Sequence, residues 1–225
     1  MAVSPLFQYR SWVGARVPDR AWGSSIMRIV TGRLVLREFA ADDWADVLAY
    51  QRDPRYLRFY PWSERTEGDV RDFVRMFVEQ QREEPRRRFQ LAITLPDSGL
   101  LVGNCGIRRK PESDWEADIG FELAPEYWGQ GYATEAARAM VDFGFRELGL
   151  HRVSSWCIAE NTASARVLER AGLRLEGRLR ENVFFKGRWW DTLLFGLLES
   201  EWRAARDGNV WTMPSAGFDK RRGFW

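Results

Sequence analysis

The segment YWGQGYATEAA, residues 127–137, sets Gly129 and Gly131 one residue apart and then runs directly into small, helix-forming residues. Glycine lets an anion reach the backbone without meeting a Cβ, and the first turn of a helix carries N–H groups with no intrahelical partner. The two properties together suit a bound phosphate or pyrophosphate. A plain left-handed turn ahead of a helix would need only one glycine; the second, followed by Ala133, Ala136 and Ala137, favours the anion. The pattern is neither G-x-x-x-x-G-K-[ST] nor a G-x-G-x-x-G opening a strand–helix–strand unit, so neither nucleotide fingerprint applies.

Immediately upstream, residues 115–123 alternate as a strand does. Trp115, Ala117, Ile119, Phe121 and Leu123 share one face, and Glu116, Asp118, Gly120 and Glu122 the other. For Glu116 a solvated sheet face is an equal explanation. Glu122 differs because it adjoins the expected anion loop, where a carboxylate, or a water it holds, can act as a general base. A third stretch, ENTASARVLERAGL at 160–173, begins with Asn161, a residue suited to cap the helix it precedes. The single histidine, His151, opens a strand and reads as structural. Cys105 and Cys157 sit in apolar strands as small buried hydrophobes, and no His/Cys cluster has metal-ligand spacing, so no metal is expected.

The elements that must position these residues follow from hydrophobic period. A strand at 33–39 precedes helices near 41–52 and 66–84, the second marked by Val70, Phe73, Val74, Phe77 and Val78. Strands follow at 88–95, 100–109 and 115–123, then a helix over 132–148, a strand at 152–158 and a helix at 162–171. Two long strands near 173–185 and 189–198 complete a mixed α/β (α+β) chain without internal repeats. Loops at 56–65 and 184–191 bring Phe59, Tyr60, Trp62, Trp189 and Trp190, which serve either packing or substrate contact.

The 225-residue chain carries 34 basic and 32 acidic residues, a balance that gives no global field for nucleic acid or membrane; the run Arg86–Arg88 reads as a solvated helix end. No stretch approaches the ~18 apolar residues of a membrane span, and the start lacks a signal-type apolar core, so a cytoplasmic protein is expected. Residues 1–26 and 209–225 mix Pro, Gly and aromatics without period and read as an extension and a tail around a domain at 27–208.

The glycine loop with its flanks, IGFELAPEYWGQGYATEAARAMVDFGF, and the stretch HRVSSWCIAENTASARVLERAGLRLEGRLRENVFFKGRWWD together resemble the Gcn5-related N-acetyltransferases (GNAT), in the branch that acetylates ribosomal-protein N-termini. The resemblance spans about Arg33 to Glu199. It implies a mostly antiparallel central sheet of about seven strands flanked by about four helices. It further implies acetyl-CoA as co-substrate, with the backbone of Gly129, Gln130, Gly131, Tyr132, Ala133 and Thr134 on the pyrophosphate and Leu123 pairing with the pantetheine arm as an added strand does. In the family's Gln/Arg-x-x-Gly-x-Gly/Ala loop, Trp128 stands where Gln or Arg is usual.

Asn161 would also reach the pantetheine arm. The tyrosine general acid of many members falls here on Leu168, which leaves Ser164 to protonate the departing thiolate. A base is needed because a protonated amine cannot attack a thioester. Glu122 is the candidate; the glutamate that some of the branch carry aligns with Val183, with Glu181 two residues earlier, and Asp191 matches a recurrent position of structural type. The acceptor is expected to be the amine of a protein N-terminus bearing Ser or Ala, or else a small-molecule amine such as an antibiotic or polyamine; a non-catalytic acyl-CoA sensor is the contrasting class. Monomer and homodimer are both compatible with the sequence.

Overall fold

The computed structural model describes residues 27–206, so the expected N-terminal extension and C-terminal tail lie outside the described residues. Eight strands form one sheet: β1 (Arg28–Val30), β2 (Val35–Glu38), β3 (Arg88–Thr94), β4 (Leu101–Arg109), β5 (Glu116–Leu123), β6 (Arg152–Ile158), β7 (Arg174–Phe185) and β8 (Arg188–Leu198). Their order is β1-β2-β3-β4-β5-β6-β8-β7, and every neighbouring pair is antiparallel except β5 with β6. Six α-helices accompany them among the described residues: α1 (Trp44–Gln51), α2 (Pro54–Leu57), α3 (Glu67–Gln80), α4 (Tyr132–Arg146), α5 (Thr162–Arg170) and α6 (Glu199–Arg206).

The expected mixed, mostly antiparallel fold is therefore present, with one strand and two helices more than the sequence period predicts. β1 and α2 have three and four residues, too few to display a period, and α6 has no buried residue to mark an apolar stripe.

Two cores sandwich the sheet. On one side α4 packs Ala136, Ala137, Met140 and Val141 against Phe89, Leu91 and Ile93 of β3 and Ala117 and Ile119 of β5. On the other side α1 and α3 bring Val47, Leu48, Val70, Val74 and Phe77 against Ala92 and Leu101. β3 is buried on both faces, which is why its run RFQLAIT is continuously apolar around Gln90. The carboxylate face of β5 turns toward the α1–α3 side, and it is not a bare solvated face. Glu116 pairs with Lys110 and Arg152, and Asp118 pairs with Arg108.

Two further expectations are corrected by packing. Arg86–Arg88 is not a solvated helix end, because α3 stops at Gln80. Arg86 is nearly buried, bonded to Glu38 at 2.5 Å and lying over the Phe89 ring, while Arg87 and Arg88 pair with Asp114 and Glu83. Trp189 and Trp190 are not loop residues but the first turns of the pleat in β8, two-residue-linked to β7 through Lys186 and Gly187. Both linking residues have positive φ, 51° and 74°.

Candidate active site

The parallel pairing of β5 with β6 runs only from Glu116, Ala117 and Asp118 to Arg152, Val153 and Ser154. Beyond it Ser155 Oγ still reaches the Ile119 carbonyl at 2.9 Å, and then the strands part. β5 continues against β4 alone, with Leu123 opposite Gly103 and the Ala124 N–H on the Val102 carbonyl. Since peptide groups alternate sides along a strand, the polar backbone of Phe121 and Leu123 faces the gap. A cleft of about 600 Å³ opens there, between the ends of β5, α4 and α5.

The glycine loop forms one wall. Gly129 and Gly131 have φ of 78° and 82°, a left-handed conformation that side-chain-bearing residues rarely adopt, and a Cβ at Gly129 would meet open space. The first amide of this region with a backbone acceptor is Glu135, on the Gly131 carbonyl at 3.0 Å. Among the described residues, no protein acceptor engages the N–H groups from Gly129 to Thr134. A left-handed loop with unspent amides at the positive end of a 15-residue helix fits a pyrophosphate.

The loop is braced from a distant strand turn. Arg33 Nη1 donates to the Gln130 carbonyl at 2.9 Å, its Nε bonds Glu135 at 2.8 Å, and its guanidinium lies over the Tyr132 ring. Burial works against ionisation of Glu135, yet bonds from Thr31 and Arg33 hold its carboxyl below the usual range. Trp128, at the variant position of the motif, donates its indole N–H to the Leu123 carbonyl at 2.7 Å. It ties the loop to the open edge of β5 and takes one lone pair of Leu123, whose N–H remains turned to the gap.

The opposite wall is the start of α5. Asn161 is its N-cap, with the side-chain oxygen accepting from the Ser164 N–H at 3.1 Å. This leaves the Asn161 amide group free to donate. Asn161 and Ser164 both line the cleft; Leu168, one turn on, is 1% exposed and belongs to the core. Of the residues singled out from the sequence, Glu122, Leu123, Trp128, Gly129, Gly131, Tyr132, Ala133, Thr134, Asn161 and Ser164 come together around this one space. Gln130 does not line it: its carbonyl holds Arg33 and its side chain donates to the Glu126 carbonyl.

Glu122 sits in a setting that its sequence neighbours do not announce. Oε1 accepts from Tyr50 Oη at 2.8 Å, from Gln51 Nε2 at 3.0 Å and, closely, from Asn104 Nδ2. Oε2 accepts a close bond from Tyr56 Oη and a longer one, 3.2 Å, from Tyr60 Oη. No Lys or Arg lies within ion-pair distance of it among the described residues; Arg65 reaches it only through Gln51 Oε1, at 3.0 Å. A second chain leads from Arg108 through Gln90 to Asn104.

Gln51 and Asn104 are 1% and 3% exposed, so this polar array lies within the α1–α3 layer. Burial first, and the Glu122 charge second, push all three tyrosine hydroxyls above their ordinary value, so they remain protonated donors. Tyr50, Gln51, Tyr56 and Asn104 were not singled out from sequence. Asn104, a polar residue inside the apolar run LVGNCGI, was the available signal.

The aromatic walls divide. Phe59 and Tyr60 line the cleft with Tyr56, whereas Trp62 stacks on Tyr60 from outside it. Trp190 is buried against Phe185 with its ring facing Phe59, and Trp189 is exposed and paired with Phe184. In β7 the register shifts between Leu179 and Val183, and Glu181 takes a φ of 49°. Asp191 holds that bulge by accepting from the Glu181 N–H at 2.8 Å and from Arg178, which assigns it a structural part. Cys105 and Cys157 are buried free thiols, pushed up to about 12 and about 11 by burial.

Comparison with known proteins agrees with this geometry. The acetyltransferase (GNAT) domain family matches residues 33–174. The chain is 34% identical over 176 residues to an uncharacterized N-acetyltransferase, YnaD, of Bacillus subtilis, covering 78% of this chain and 99% of that protein. A crystal structure of a GNAT-family acetyltransferase from Bacillus anthracis superposes with a TM-score of 0.68 at 33% identity, over 77% of this chain and 99% of its own. The ribosomal-protein-S5-alanine acetyltransferase of Vibrio fischeri shares the fold, with a TM-score of 0.68 at 20% identity over 78% and 98% of the two chains. With a splayed strand pair, a left-handed glycine loop at a helix N-terminus and these relatives, the chain belongs to the GNAT family and is an acetyl-CoA-dependent N-acetyltransferase.

Proposed function

We propose that this enzyme transfers the acetyl group to the N-terminal amine of a protein or peptide beginning with a small residue, Ser, Ala or Thr. The observation that carries the reading is the Glu122 carboxylate, uncompensated by any contacting cation among the described residues and set behind Tyr56, Phe59 and Tyr60 in the cleft. A negative charge in an aromatic recess attracts an ammonium group and leaves little width for the side chain beside it. The fold shared with a protein named for ribosomal S5-alanine acetylation supports the same class.

In this reading the amides of the Gly129–Thr134 segment hold the pyrophosphate of acetyl-CoA, and the Leu123 N–H and the free amide of Asn161 hold its pantetheine arm. The bound thioester supplies the electrophilic acetyl carbon. Glu122 is the final acceptor of one ammonium proton, which frees the nitrogen lone pair for attack. Ser164 passes its hydroxyl proton to the sulfur as the C–S bond breaks and regains one from the second hydrogen lost by the nitrogen, so the serine ends unchanged. Direct transfer within a ternary complex lets positioning supply much of the rate. An N-terminal amine, with an unperturbed pKa of ~7.7–8.0, needs less of its base than a lysine at ~10.4.

The test is a panel of acceptors followed by thiol release and mass spectrometry: peptides starting with Ser, Ala, Thr, Leu or Phe, a peptide with acetylated N-terminus and one internal Lys, spermidine, and an aminoglycoside. Preference for Ser, Ala and Thr peptides is expected. Phe59→Ala should narrow the gap between Ala- and Leu-initiated peptides with little change in acetyl-CoA affinity. Robust acetylation confined to the lysine peptide, the polyamine or the aminoglycoside would replace the N-terminal reading with one of those.

A further inference from the structure

We propose that Tyr60, rather than Glu122 itself, is the group that contacts the acceptor ammonium and takes its proton, handing its own hydroxyl proton to Glu122 Oε2 in the same movement. The inference rests on the amine-acceptor reading above and adds a catalytic residue to it.

An ionised carboxylate offers about four lone-pair sites. Five donors already converge on Glu122: Tyr50, Gln51 and Asn104 on Oε1, Tyr56 and Tyr60 on Oε2. A sixth donor, an ammonium or a water, finds no vacant direction unless one of these leaves. Gln51 and Asn104 cannot leave without stranding buried amides, and Tyr50 is locked between Glu122 and Asn104. Tyr56 is buried and makes the closer contact to Oε2.

Tyr60 is the exception on two counts. It lines the cleft as Tyr56 does, but its bond to Glu122 is the longest of the five at 3.2 Å and it is only partly buried. A phenol that donates its hydrogen still has oxygen lone pairs for an incoming N–H. The stack of Tyr56, Tyr60 and Trp62 fixes the ring, with centroids 4.6 and 4.9 Å apart. Because its hydroxyl stays protonated in this setting, Tyr60 works as a relay and not as a standing phenolate.

The step balances. One ammonium hydrogen passes to Tyr60 Oη while the Tyr60 hydroxyl hydrogen passes to Glu122 Oε2, leaving a neutral amine, an unchanged tyrosine and a protonated glutamic acid. The nitrogen lone pair then forms the bond to the acetyl carbon and the C–S bond breaks. A second hydrogen of the original ammonium leaves the nitrogen and the thiolate gains one, so amide and free thiol result.

Tyr60→Phe tests this with little risk to the fold, since it leaves four donors on about four lone-pair sites. With a Ser-initiated peptide as acceptor, kcat should fall roughly 10²-fold, within the range of positioned proton-transfer groups, while the calorimetric Kd for acetyl-CoA stays within about twofold. With the same peptide carrying a weakly basic N-terminal hydrazide, already neutral at assay pH, the loss should shrink to severalfold. A residue that merely shapes the cleft would lose the same factor on both acceptors, and that result would overturn the relay. Undiminished turnover in Tyr60→Phe would overturn it too, and would return direct abstraction to Glu122. Without any turnover, the downfield proton NMR signal of a hydroxyl held on Glu122 should be lost in Tyr60→Phe and shift when the peptide is added to the wild-type protein. A signal indifferent to the peptide counts against the relay. If the wild-type protein acetylates no amine of the panel, the functional reading fails and the relay with it; if it does and only the Tyr60 results fail, the functional reading stands alone.

Discussion

The two walls of the cleft are built on opposite plans. The proposed cofactor wall, from Trp128 to Thr134 and from Asn161 to Ser164, consists of consecutive residues at two helix starts; among the described residues the amides from Gly129 to Thr134 have no protein acceptor, and Asn161 adds a side-chain amide that is free to donate. The proposed acceptor wall draws on Tyr50 and Gln51 of α1, Tyr56 of α2, Tyr60 beyond it, Asn104 of β4 and Glu122 of β5, and their side-chain polar groups are already paired. One wall waits for a ligand that supplies the missing acceptors. The other is a finished network in which a proton can move but a new donor has no place. If the two proposed roles hold, the difference teaches that an anion site can be written largely in local chain geometry, with Arg33 as a distant brace, whereas handling a proton needs several elements held in mutual register.

Gly131→Asp should produce the largest effect and breaks the cofactor wall alone. A carboxylate at a φ of 82° meets the pyrophosphate with like charge and strains the backbone, so calorimetric titration should detect no acetyl-CoA binding while the far-ultraviolet circular dichroism is kept. Retained affinity would show that the anion sits elsewhere.

Glu122→Gln strikes the acceptor wall. Turnover should drop by roughly 10²–10⁴-fold with acetyl-CoA affinity nearly unchanged, and Ser164→Ala should fall in the same range if its hydroxyl protonates the sulfur. The glutamine also turns a donor toward donors, which should cost about 1–3 kcal/mol of stability in urea unfolding. Equal stability of Glu122→Gln and the wild type would mean that the five-donor network is looser than its geometry.

Asn161→Ala sharpens the comparison because that residue serves fold and ligand together. Loss of the cap should lower stability by about 1 kcal/mol, and addition of saturating acetyl-CoA should raise the Tm of the variant less than that of the wild type. A smaller test concerns the sheet beneath both walls. With thiols pushed up to about 12 and about 11, Cys105 and Cys157 are protonated at pH 8, and Ellman's reagent should label neither until denaturant is added. Rapid labelling of Cys105 in the native protein would contradict its burial in β4.

The sequence by itself determined the long elements and the conformation of the glycine loop proposed as the cofactor wall, because both are written in short-range pattern. Strand and helix periods placed the long elements within a few residues, the paired glycines marked a left-handed loop before a helix, and Asn161 marked a helix start. Leu168 excluded a tyrosine at that position without any structure, and burial in the core gives the residue a different task. The alternation of β5 also put Glu122 on the correct face. It could not say that three tyrosines, separated from Glu122 by 62 to 72 residues, would converge on it. That convergence depends on the antiparallel register that sets Asn104 opposite Glu122, and on α1 and α2 lying over that part of the sheet. Arg33 bracing the loop across 97 residues, and Arg86 drawn from an apparent surface run to Glu38, have the same origin. Local backbone preference decides conformation residue by residue and is legible along the chain. The partners of a long polar side chain are decided by which distant elements pack beside it, and only the tertiary structure supplies them.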